Sequence, residues 1–192
     1  MAIYQLKIIL NNSNPPIWRQ FLVKSNILLP DLHKIIQTVM GWNNSHLHEF
    51  DINGKIYGLP ENDDEFEDEN RITDYSSIKL DSVISKENEQ FIYEYDFGDY
   101  WQHTIQLEKI LPVEKKVYYP KCIGGERHCP PDDCGGIHGY EELLTIIKNP
   151  GNEEYEGMME WLGGEYDPED FKLDEINKSL RQEDYGCIEG DD

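Results

Sequence analysis

The stretch FIYEYDFGDYWQHTIQLEKI, residues 91–110, decides the fold. Apolar and aromatic residues alternate with polar ones on both sides of Gly98-Asp99, and period-two patterning about a turn dipeptide is the signature of a β-hairpin. With Gly98 and Asp99 as the central turn residues, Asp96 faces Trp101, Glu94 faces His103 and Ile92 faces Ile105 on one side of the sheet. Phe97, Tyr95 and Tyr93 then lie on the other. His103, between Trp101 and Ile105 with the Glu94 carboxylate across from it, has its imidazolium form favoured. Two readings follow: a histidine that locks the hairpin by a charge-assisted hydrogen bond, or a functional one.

Upstream, IYQLKIIL places Tyr4, Leu6, Ile8 and Leu10 on one strand face, and IWRQFLVK places Ile17, Arg19, Phe21 and Val23 opposite Trp18, Gln20 and Leu22. The NNSNPP between them is turn chemistry. In LPDLHKIIQTVMG, Leu32, Ile35, Ile36, Val39 and Met40 recur at helical spacing, with Pro30 near the start and Gly41 placed for a left-handed cap. HLHEFDINGKIYG reads as two strands about Asn53-Gly54. His46 and His48 alternate there, which predicts that they share a face. Residues 61–70, ENDDEFEDEN, read as a solvated acidic loop whose spacing lacks the pattern of a calcium-binding EF-hand. Downstream, GYEELLTIIKN, NEEYEGMMEWLGG and DEINKSLRQ are helical, each bounded by Pro or Gly. The expectation is one α+β domain over residues 1–192: a mostly antiparallel sheet of hairpins around one amphipathic helix in 1–110, a cysteine-containing loop in 111–138 and a helical part in 139–183.

The chain carries 39 acidic and 17 basic residues, a formal charge of −22, unevenly spread. Residues 1–58 hold five Lys/Arg against three Asp/Glu, so residues 59–192 carry −24. Such a field repels phosphate backbones and anionic lipid heads and favours basic protein surfaces or cations as partners. No apolar run approaches a membrane span, and the N-terminus lacks the pattern of a secretory signal, so a cytoplasmic protein is expected.

CIGGERHCPPDDCGGIHGY, residues 122–140, holds three of the four cysteines. A tetrahedral zinc site could use Cys122, Cys129 and Cys134, with the fourth ligand unassigned among His138, His128, His103 and His48. The glycines at 124, 125, 135 and 136 give the backbone freedom such a knuckle needs. A redox pair and an irregular loop with buried, inert thiols are the alternatives.

Together PPIWRQFLV, LHKIIQTVMGWNNSHLHEFDINGKIYG, YEYDFGDYWQHTIQLEKILP and CIGGERHCPPDDCGGIHGYEELL resemble the plasmid ORF-3-like family, named after an open reading frame of a root-inducing plasmid and associated with mobile elements. The resemblance runs from about Ile3 to Arg181 and implies a single α+β domain. It carries over His46; Asp96, Gly98, Asp99, Trp101 and His103; and Cys122, Cys129, Cys134, Gly135 and Gly136. The chain departs from the family at His128, where a small residue is usual, and at Asp132, where Glu is common. A recombinase role fits poorly, because only four arginines, at 19, 71, 127 and 181, are available for a scissile phosphate.

Two functions are compatible with these residues. The first is a non-enzymatic binding or adaptor module with a zinc-clipped loop, whose acidic face meets a basic partner. The second is a metal-dependent hydrolase in which His46, His48, Asp96, Asp99 and His103 converge on a cleft. Glu94 and Trp101 complete the expected binding face. DNA binding would be confined to the N-terminal segment around Trp18, Arg19, Lys24 and Lys34.

Overall fold

Alternation along the chain produces a sheet with one buried face. The computed structural model describes residues 1–60, 72–164 and 166–187; the acidic run expected as a loop lies outside the described residues. Strands β1 (Ile3–Leu10) and β2 (Trp18–Lys24) pair antiparallel, with Leu6 opposite Phe21 and Ile8 opposite Arg19. Helix α1 (Leu29–Met40) follows and ends on Gly41, whose φ of 103° is the left-handed cap conformation. β3 (His48–Ile52) and β4 (Lys55–Gly58) turn on Asn53-Gly54, both with positive φ. β5 (Ile72–Asp74) adds in parallel to β4, and a single turn, α2 (Leu80–Val83), leads to β6 (Gln90–Tyr95) and β7 (Trp101–Leu111). β8 (Lys121–Glu126) pairs with β2, giving one eight-stranded sheet in the order β5-β4-β3-β6-β7-β1-β2-β8.

The buried face carries Tyr4, Leu6, Ile8, Phe21, Phe50, Tyr93, Trp101, Ile105 and Leu107, against which α1 lays Leu32, Ile35, Ile36 and Val39. Helices α3 (Gly136–Ile147), α4 (Tyr155–Trp161) and α5 (Leu173–Ser179) and a 3₁₀ turn (Glu183–Gly186) complete the described chain. The architecture is α+β, as expected, with β8 lying inside the segment read as a cysteine loop. Among the described residues, no helix is long and apolar enough to cross a membrane.

Arg19 ties the sheet to the end of α1. Its side chain is only 2 % exposed, and its guanidinium donates from Nε to the Val39 carbonyl (2.8 Å) and from Nη1 and Nη2 to the carbonyls of Trp18, Glu126 and Arg127. The cation also stacks 4.9 Å from the centre of the Phe171 ring. A buried charge is tolerable here because backbone oxygens satisfy it from four directions.

The hairpin 91–110 forms, but one residue out of the expected register. His103 pairs with Tyr93, Trp101 with Tyr95, and Glu94 with Gln102. The connection is longer than a two-residue turn: Asp96 and Tyr100 both take positive φ, and Asp96 Oδ1 accepts hydrogen bonds from the amides of Gly98 (2.8 Å) and Asp99 (3.3 Å). That side-chain-closed turn moves the pairing by one position, and a one-residue slip exchanges the faces. Glu94 therefore points away from His103, and Tyr93 and Tyr95 join Trp101 and His103 in the core.

Candidate functional site

Three segments meet at one end of β6 and β7. The first is the loop after α1, where the Gly41 cap lets the chain turn back so that Trp42 and His46 reach the sheet. Trp42 packs on Tyr95 at 4.9 Å and edge-on against His103 at 5.1 Å, and the Ser45 amide donates to the Tyr95 hydroxyl. The second is the Asp96–Tyr100 turn. The third is the stretch after β8, pinned where Trp42 Nε1 donates to the Pro130 carbonyl (3.0 Å) and the Tyr166 hydroxyl to that of Cys129.

The Cys-Gly-Gly that opens α3 has a steric reason. The Gly135 amide donates to Asp99 Oδ2 at 3.1 Å, and a Cβ on Gly136 would stand 2.6 Å from the Asp99 carbonyl oxygen at a φ of +66°. Only glycine lets the third segment lie against the turn this closely. Asp99 is thus a docking residue.

The result is a cluster of His46, Asp96 and Asp133. His46 Nε2 lies 3.2 Å from Asp133 Oδ1 and 3.7 Å from Asp96 Oδ2. Asp132 stands beside it, its carboxyl raised above the usual range by burial. Next to the cluster opens a cleft of about 520 Å³ walled by Trp42, Pro130, Pro131, Asp132, Asp133 and Trp161. Trp161 is 51 % exposed.

Other predicted site residues lie elsewhere. His46 and His48 do not share a strand face, because β3 begins only at His48. His48 instead stacks face to face on His33 of α1, ring centres 3.4 Å apart, and its Nε2 meets the Tyr75 hydroxyl at 2.8 Å. His103 is fully buried, with Nδ1 3.3 Å from the Tyr93 carbonyl oxygen, and burial lowers its pKa to about 3, so the imidazole is neutral. Glu94 is paired with Gln102 on the opposite face, away from the cluster. Trp101 belongs to the core beneath the site.

Among the described residues, the three cysteines do not form a metal-ligand grouping. Cys122 sits in β8 facing the core, with Sγ 3.6 Å from the carbonyls of Gln20 and Gly124; Cys129 is buried, and Cys134 half-buried. Burial pushes all three thiols up, Cys134 to about 12, so they stand as thiols. Among the described residues, the grouping of three metal-ligand side chains that comes together is His46, Asp96 and Asp133, with ligand atoms within 4.8 Å of one another, and no cysteine belongs to it. In the sequence Asp133 lies between two expected thiolate ligands, and the signal that could have found it is the adjacent acid pair Asp132-Asp133.

A mostly antiparallel sheet with α1 packed on its buried face and a histidine–carboxylate cluster at its rim defines the class. Residues 2–175 match the family described as plasmid pRiA4b ORF-3-like protein, and the chain belongs to that family. A relative named uncharacterized protein y4hQ, from Sinorhizobium fredii, is 34 % identical over 181 residues, covering 93 % of this chain and 91 % of its own. The crystal structure of the protein of unknown function MM3350 from Methanosarcina mazei Go1 matches with a TM-score of 0.81 at 39 % identity, over 91 % of this chain and 97 % of that one.

Proposed function

We propose that the chain is a binding module whose cleft between the Pro130–Asp133 segment and Trp161 takes a basic segment of a partner protein. The observation that carries this reading is a half-exposed tryptophan facing the Asp132 and Asp133 wall of an open cleft. A guanidinium or ammonium group there would meet Asp133, whose side chain is 72 % exposed, while its alkyl stem covers the indole. The −24 charge of residues 59–192 steers such a partner towards the cleft and repels nucleic acid.

The test is tryptophan fluorescence during titration with short arginine- and lysine-containing peptides, with a chelator present, at low and high salt. Saturable binding that weakens with salt, and that falls roughly tenfold, about 1.4 kcal/mol, in both Trp161→Ala and Asp133→Asn, supports the cleft. Equal affinity in parent and variants sinks it.

A metal-dependent hydrolase is the second reading, favoured by the His46, Asp96 and Asp133 grouping, since three protein ligands would leave coordination positions for water. Such a site would draw on neither His48 nor His103, which stand elsewhere.

A further inference from the structure

The His46, Asp96 and Asp133 contacts do not look like an ordinary ion pair. His46 Nε2 has no exposed surface and forms no hydrogen bond, although carboxylate oxygens stand 3.2 and 3.7 Å away. The three atoms surround a shared point. Asp96 is 6 % exposed, and while its Oδ1 accepts from the Gly98 and Asp99 amides, its Oδ2 stands 3.7 Å from the imidazole. Tetrahedral ligands bound about 2.0–2.2 Å from one ion sit roughly 3.3–3.6 Å from each other, and these three atoms lie within 4.8 Å of one another, so a modest contraction would bring them onto one ion. Asp132 adds a further sign: its Oδ1 is buried without a hydrogen-bond partner, although the Asn43 backbone reaches the carboxylate. Three carboxylates around one imidazole leave an excess of negative charge that a dication offsets.

We infer that His46 Nε2, Asp96 Oδ2 and Asp133 Oδ1 bind a divalent transition-metal ion, with the Asp132 carboxylate as a neighbouring charge. The imidazole favours zinc, cobalt or manganese over calcium and magnesium, which prefer all-oxygen shells. The inference shares the Asp133 carboxylate with the peptide cleft, but His46 and Asp96 lie outside that cleft and Trp161 outside the metal grouping, so His46→Gln and Trp161→Ala tell the two apart. It also differs from a thiolate site on Cys122, Cys129 and Cys134, and the two make opposite spectroscopic predictions.

The experiment is titration of the full chain with Co²⁺, followed by visible absorption, with Zn²⁺ competition to rank affinity. Expected are d–d bands at one equivalent without near-ultraviolet thiolate-to-cobalt charge transfer. His46→Gln and Asp133→Asn should each weaken binding on the order of 100-fold, and a Cys129→Ser/Cys134→Ser double variant should leave it unchanged. Asp133 is exposed, so its variant keeps the fold even if changes at Asp96 do not. A charge-transfer band lost with the cysteines, unaltered affinity in both His46→Gln and Asp133→Asn, or no binding by the parent chain would each overturn the inference.

Discussion

At the scale of single residues, the charges and glycines that hold the site in place make sharp predictions. Arg19→Lys keeps the charge but cannot reach four carbonyls, and leaving buried acceptors unpaired should cost about 3 kcal/mol in urea unfolding. A loss under about 0.5 kcal/mol would show that these bonds are replaceable. Gly136→Ala drives a methyl to 2.6 Å from the Asp99 carbonyl at positive φ and should cost roughly 2 kcal/mol. Gly157→Ala, in α4 with open space around it, should instead stabilise by up to about 1 kcal/mol. The same denaturation series checks both, and similar effects at the two glycines would contradict the steric account. Residue identity also set what could be read in advance. The alternation that put Arg19 on an apolar face was visible, whereas Asp133 looked like spacer because its value comes from two segments far away in sequence, those of His46 and Asp96.

At the scale of elements, α1 is joined to the sheet by a polar network that must stay neutral. Gln37 Nε2 donates to the Tyr93 hydroxyl, which meets His33 Nδ1, and His33 Nε2 reaches Asn44 Oδ1 at 2.7 Å, with the His48 ring stacked on that of His33. Burial lowers the His33 pKa to about 4 and pushes that of His48 well below its ordinary value, while in the unfolded chain both titrate near 6.5. Between those values the unfolded chain binds more protons, so stability is full above about pH 6.5 and falls as the pH drops towards 4, by roughly 3 kcal/mol for His33 alone. Urea midpoints from pH 8 to 5 should show this decline, and His33→Gln should make it shallower while His48 and His103 sustain the remainder; the same slope in both proteins would contradict the assignment. The elements themselves were largely legible: the α1 periodicity, the Asn53-Gly54 turn and the strand alternation all appear as read. The register of β6 and β7 was not, because it depends on the Asp96 side chain closing a longer turn, which composition does not reveal. β8 was missed for a related reason, since KCIGGE has a weak strand pattern and forms only because β2 offers it an edge.

At the scale of the whole molecule, the sheet has one face packed against α1, and three stretches separated in sequence, SHLHEF, YDFGD and CPPDDCGG, come together at its rim. On the proposed reading, the fold brings an acidic, aromatic-walled cleft to the surface of a chain with a formal charge of −22. The most direct measurement is amide chemical-shift mapping of the full chain, with a chelator present, on addition of an arginine-containing peptide. The account predicts saturating shifts concentrated at Asn43, Asp132, Asp133 and Leu162 and at the Trp161 indole. Shifts spread evenly over the acidic surface, with the Trp161 indole unmoved, would contradict it.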